Sequence, residues 1–178
     1  MRDILFLGRE AGQLLKERGE KIAVAETSAG GLIAASLLAQ PGASAYFAGG
    51  AITYSARSIR GLAGISTDEM RERGIRSSSE PYAQWLAEAV KAKHGRITWG
   101  LAETGAAGPS GNPYGDPAGH TCLAITGPLS LVRTLRTGNS DRVENMWAFT
   151  EAALALLVEA LQTVPRQKQD GAEASEQR

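Results

Sequence analysis

The sequence predicts one α/β domain, a three-layer α/β/α sandwich around a mixed, mostly parallel sheet. Three observations carry this. Short apolar runs rich in β-formers alternate with helical segments along most of the chain. The last two strand-like runs are separated only by a turn at Gly127-Pro128, which predicts an antiparallel hairpin. With 178 residues and 18.7 kDa, one core buries most of the apolar surface.

The elements follow in order. Ile4, Leu7, Ala11, Leu14 and Leu15 recur at helical spacing, and Gly19 ends that helix. KIAVAE reads as a buried first strand. LIAASLLAQ, apolar on nearly every side, reads as a deeply packed helix stopped by Pro41-Gly42. AYFAGGAITYS is a second strand whose glycine pair marks a bulge or a close approach to the backbone. A short helical stretch spans 56–62, and Ser66 and Ser79 precede two more helices, with Tyr82, Trp85, Leu86, Ala89 and Val90 inward on the second. ITWGLAE is a strand. A long Gly/Pro loop over 104–119 separates it from the hairpin strands HTCLAIT and SLVRTLRT. The final helix runs from about Asp141 to Leu161 with Val143, Met146, Trp147, Thr150, Ala153, Leu154, Leu157 and Leu161 on its stripe. The domain is thus expected over 1–164, followed by a disordered polar tail over 165–178.

Composition narrows the function classes. Lys+Arg 19 balances Asp+Glu 19, and no basic patch interleaves with aromatics, so no nucleic-acid partner is expected. Cys122 is the single cysteine and His94 and His120 the two histidines, so no zinc pattern and no metal site is expected. Charges at Arg2, Asp3, Arg9 and Glu10 interrupt any signal-peptide core, and no run reaches membrane-spanning length. No membrane partner and a cytoplasmic location are the expectations.

Two glycine-rich segments sit at the carboxyl ends of predicted parallel strands, where open α/β sheets bind ligands. In Glu26–Gly31, either Thr27 or Ser28 caps the next helix while Gly30 and Gly31 permit close packing, or the amides there cradle an anion. The loop over 104–119 is long for a compact domain, and loops of that length are usually functional or disordered. Its position between core strands favours function, yet no GxxxxGK[ST] or GxGxxG pattern is present.

Six collinear blocks carry a family resemblance: Glu26–Gly31, Pro41–Phe47, Ile52–Ser55, Thr104–Pro109, Asp116–Gly119 and Gly138–Val143. Together they resemble the CinA C-terminal domain family from about Leu5 to Leu161. The resemblance implies a CinA-like fold, homo-oligomerisation, and deamidation of nicotinamide mononucleotide to its acid with release of ammonia. It implies no cofactor. Thr27, with Ser28 beside it, stands where the family carries a serine, while Ser44, Tyr54 and Thr104 keep family hydroxyls. These are the expected catalytic groups.

Substrate binding is expected from Gly30, Gly31, Gly105 and Gly108, from Arg57 or Arg142, and from His120, a candidate proton shuttle. Ile59 takes the place of a family lysine, and Ser140 and Glu144 the places of family arginines. The chain therefore reads as a divergent branch whose ligand is a small-molecule nucleotide. Its alternatives are a nucleotide binder that has lost the chemistry and a hydrolase of a different amide.

Overall fold

A computed structural model describes residues 3–166, so most of the expected tail, from residue 167 onward, lies outside the described residues. Five strands form one sheet in the order β2-β1-β3-β4-β5: β1 (Ile22–Glu26), β2 (Phe47–Ile52), β3 (Trp99–Ala106), β4 (His120–Thr126) and β5 (Leu131–Arg136). β1 pairs in parallel with β2 and β3, whereas β4 is antiparallel to both β3 and β5. The sheet is therefore mixed, and every strand except β4 runs in one direction.

Alternation along the strands sorts the two cores. Ile22, Val24, Trp99, Leu101 and Leu123 point to one face, beneath α1 (Ile4–Arg18), α2 (Leu32–Leu38) and α6 (Arg142–Thr163). Ala23, Ala25, Ala102 and Ala124 point to the other, where α5 (Glu80–Lys93) packs with Tyr82, Leu86 and Val90. The segment from α3 (Ala56–Ser58) through a π turn (Ile59–Ala63) to α4 (Thr67–Glu72) joins this second layer. The three-layer sandwich is the predicted one. Gly19 is left-handed at φ 64, and Ser66, Ser79 and Asp141 each accept an amide hydrogen bond at a helix start, whereas α2 starts at Gly31 with no side-chain cap from Thr27 or Ser28.

Several details differ from the sequence reading. Thr104, Gly105 and Ala106 are not loop. They extend β3, because Cys122, Thr121 and His120 of β4 pair with them, so the irregular stretch is 107–119. On α6, Val143 is 58% exposed, while Asn145 and Phe149 are fully buried and belong to the inner stripe. Leu38 of α2 is 54% exposed, so that helix is not buried all round. The glycine pair of β2 satisfies both of its predicted meanings. The ladder to β1 skips Ala48, and a Cβ on Gly49, at φ 157, would lie 2.5 Å from the His94 ring nitrogen Nε2.

Candidate active site

Because β1, β2 and β3 run in parallel side by side, their carboxyl ends deliver Thr27, Thr53 and Thr104 to one edge of the sheet. These threonines, with Tyr54 and Gly105, line a cleft of about 600 Å³. Its far wall comes from the α3–α5 segment and includes Ile59, Met70, Arg71, Arg76 and Tyr82. Thr27 Oγ1 donates to the Thr53 carbonyl at 3.4 Å and lies 3.5 Å from Thr53 Oγ1, which in turn donates to the Glu26 carbonyl at 3.3 Å. The hydroxyls thus sit in a chain of neutral oxygens.

Two buried carboxylates lie behind this chain. Glu26 accepts from the Gly31, Ile33 and Ala34 amides, at 2.8, 3.1 and 2.8 Å. Glu103 accepts from the Thr27 and Ala29 amides, at 3.1 and 2.8 Å, and from Thr121 Oγ1 at 2.9 Å. The amides that were candidates for an anion cradle are therefore occupied by the protein's own carboxyl groups, which satisfy the helix start from inside. The hydrogen bonds oppose the cost of burial without cancelling it. Desolvation pushes Glu103 up to about 7 and raises Glu26 as well.

The long loop is fastened to the start of α6. Arg142 donates to the Gly108 carbonyl at 2.7 Å and to Tyr54 Oη at 3.1 Å, joining the loop to the end of β2. Gly108 has φ 112, and a Cβ there would lie 2.6 Å from the Ser140 carbonyl oxygen, so this position accepts only glycine without rearrangement. Beside the cleft, Arg76 makes a two-pronged ion pair with Asp116, which Asn112 Nδ2 also contacts at 2.8 Å. That pair holds the Asp116 carboxyl below its usual range. His120 is buried. Its Nε2 lies 3.0 Å from the Ser78 carbonyl, which can only accept, so Nε2 carries the proton and Nδ1 has no partner among the described residues.

The predicted site residues therefore divide. Thr27, Tyr54, Thr104 and Gly105 converge on the cleft, with Ile59 among its lining. Arg142 and Gly108 brace its rim by bonding one another. Ser28 is 4% exposed and outside the lining, and the Gly31 amide is taken by Glu26 while Gly30, its neighbour in that turn, is also outside the lining. Arg57 is exposed and outside the lining as well. His120 opens β4 directly after the long loop, outside the cleft lining, with Nε2 on the Ser78 carbonyl. Ser44 is in a 3₁₀ turn (Ala43–Ala45) just before β2, near the amino ends of the parallel strands. Five residues of β1 separate the two ends, about 16 Å. Sequence reasoning missed Thr53, Glu103, Arg76 and Tyr82. Thr53 lay inside a quoted block; the other three had no local signal.

Elsewhere, α1 and α6 flank a second cleft, of about 650 Å³, lined by Phe6, Leu7, Leu154 and Val158 with charged rims. Among the described residues no group of three or more His, Cys, Asp or Glu is placed to hold a metal ion, and no helix is long and apolar enough to cross a membrane.

Comparison with known proteins gives a consistent set of likenesses. The family model described as the CinA C-terminal domain matches residues 6–161. A CinA-like protein of Prochlorococcus marinus is 40% identical over 115 residues, 65% of this chain and 26% of that protein. A CinA-like protein of an Anaeromyxobacter species is 38% identical over 149 residues, 83% of this chain and 35% of that protein. The chain thus spans roughly a third or less of the length of these curated relatives. Among solved structures, the competence/damage inducible protein CihA of Agrobacterium tumefaciens is similar with a TM-score of 0.80 at 30% identity, covering 92% of this chain and 98% of that one. A competence-damaged protein (CinA) superfamily member from Klebsiella pneumoniae gives 0.81 at 25% identity, covering 90% and 99%.

Proposed function

The chain belongs to the CinA C-terminal domain family, and from that premise we propose that it is an amidohydrolase converting the carboxamide of a nicotinamide-type nucleotide to the acid, with release of ammonia. The observation that carries this reading is the convergence of Thr27, Thr53, Tyr54 and Thr104 in one cleft whose charged lining residues are arginines. Amide hydrolysis needs an attacking oxygen, donors for the developing oxyanion and a route for a proton to the leaving nitrogen. Thr27 Oγ1 is the hydroxyl best placed to attack or to orient water, and Thr104 and Tyr54 flank the same space. No metal or organic cofactor enters the reaction. Homo-oligomerisation and a cytoplasmic location belong to the same reading.

Incubating the protein at high concentration with nicotinamide mononucleotide and measuring ammonia tests the proposal. Steady release that scales with protein supports it, and no release overturns it.

One observation favours a second reading. Ile59, in the place of the family lysine, presents only hydrocarbon to the cleft, and Thr27 Oγ1 meets the carbonyl and hydroxyl oxygens of Thr53. A binder that has lost the chemistry would hold the nucleotide in a calorimeter and return it unchanged. A different amide substrate would appear in a substrate screen.

A further inference from the structure

The cleft is lined by two guanidinium groups, Arg71 and Arg76, and by no carboxylate. The two arginines are not equivalent. Arg71 pairs at 3.1 Å with Asp68, and both side chains are almost four-fifths exposed, so water and salt screen that charge. Arg76 is clamped. Both Nη atoms bond the carboxylate of Asp116, which is 8% exposed and lies outside the cleft lining, while Nη1 also donates to the Ser77 and Ser78 carbonyls at 3.2 and 3.4 Å. The Tyr114 ring lies 5.5 Å from the guanidinium carbon. These contacts fix the plane of the fork. They leave the Nε hydrogen and one Nη2 hydrogen without an acceptor among the described residues.

An independent observation comes from the same cleft. Tyr82 lines it, is 1% exposed, and its Oη has no partner among the described residues. A buried hydroxyl is ordinarily satisfied, and its natural complement is an acceptor brought by a ligand. The fixed fork and the phenol are both donors, so the matching ligand group is an anion rich in acceptor oxygens. Arg142 and Arg57 are weaker candidates for this role. Arg142 bonds the Gly108 carbonyl and Tyr54, and Arg57 lies outside the lining.

We propose that Arg76, oriented by Asp116, and Tyr82 form an anion subsite on the helical wall of the cleft that takes a phosphomonoester and makes the site selective for nucleotides over nucleosides. This rests on the nucleotide reading above for the identity of the ligand, but not on hydrolysis.

Calorimetric affinities for nicotinamide mononucleotide and for the corresponding riboside test it. The intact protein is expected to prefer the nucleotide by about 30-fold, as expected for charge-assisted hydrogen bonds to one phosphate. Arg76→Gln is expected to erase most of that preference while leaving riboside affinity within about twofold. Arg76→Lys is expected to restore part of it, since an ammonium supplies charge without the fork. Tyr82→Phe removes a donor and little volume, and is expected to weaken nucleotide binding about fivefold with the melting temperature retained. Should Arg76→Gln fail to fold, Tyr82→Phe carries the test. A full nucleotide preference in folded Arg76→Gln, or unchanged nucleotide affinity in Tyr82→Phe, overturns the subsite. An Arg76-dependent preference without ammonia release upholds the subsite and overturns only the hydrolysis. Absence of binding by the intact protein overturns both.

Discussion

Glu103 holds the turn after β1 from beneath, with one oxygen accepting the Thr27 and Ala29 amides and the other accepting from Thr121. Fully buried, it titrates at about 7 in the fold against 4.5 for an exposed glutamate. Between those values the folded chain keeps a proton that the unfolded chain has lost, so stability falls as pH rises from 4.5 to about 7 and then levels off. Glu26, also raised, adds to the fall in the same direction. Glutamine is able to accept both amides through its oxygen and to donate to Thr121, which passes its own hydrogen to the Thr104 carbonyl 3.2 Å away. Glu103→Gln is therefore expected to flatten the decline and to melt no lower than the parent above pH 7. Melting curves across this window check it; an equally steep decline in the variant would contradict it.

Thr27, Tyr54 and Thr104 were legible beforehand because each lies in a short block with a recognisable pattern. Glu103 was not, since its amide partner Ala29 is 74 residues away and a carboxylate within an apolar strand declares no partner. Arg76 and Tyr82 were hidden for the same reason. One pairs across 40 residues with Asp116, and the other reads only as an inward helix position.

At the scale of elements, the irregular segment over 107–119 is tied at its start to α6, while 112–116 is held by Asn112 and by the Arg76–Asp116 pair. Asn145, fully buried in the first turns of that helix, donates to the Ala107 and Asn139 carbonyls at 2.7 and 2.8 Å and accepts from Thr137 Oγ1 at 2.6 Å. Asn145→Ala leaves those groups unpaired and is expected to cost about 3 kcal/mol in urea unfolding. A loss below about 1 kcal/mol would show that the loop is held otherwise. The glycine spacing announced an unusual segment at the edge of the sheet that carries the cleft. It did not show where β3 ends, because pairing with β4 decides that and pairing is invisible in a single strand. Nor did hydroxyl and amide chemistry in Glu26–Gly31 reveal that the amides already have carboxyl groups beneath them. An apparent cradle read from one segment became a filled one when a second strand supplied Glu103.

For the whole molecule, the strand order matters most. Placing β1 between β2 and β3 brings three carboxyl ends side by side, and the crossover segments carrying α3, α4 and α5 close one side of the resulting cleft. The alternation of elements predicted the three-layer sandwich and its mixed sheet, since parallel strands need crossovers, but not this strand order. Ser44 shows where the inference from motifs stopped. Its block is collinear with the others in sequence, yet the fold sends it to the opposite end of the sheet.

The proposed nucleotide site is this edge and not the apolar groove between α1 and α6. Titrating isotope-labelled protein with nicotinamide mononucleotide and following backbone amide shifts tests it most directly. Changes concentrated at Thr27, Thr53, Thr104 and the segment from Arg76 to Tyr82 are expected. Changes confined to Phe6–Gln13 and Glu151–Thr163 would contradict it.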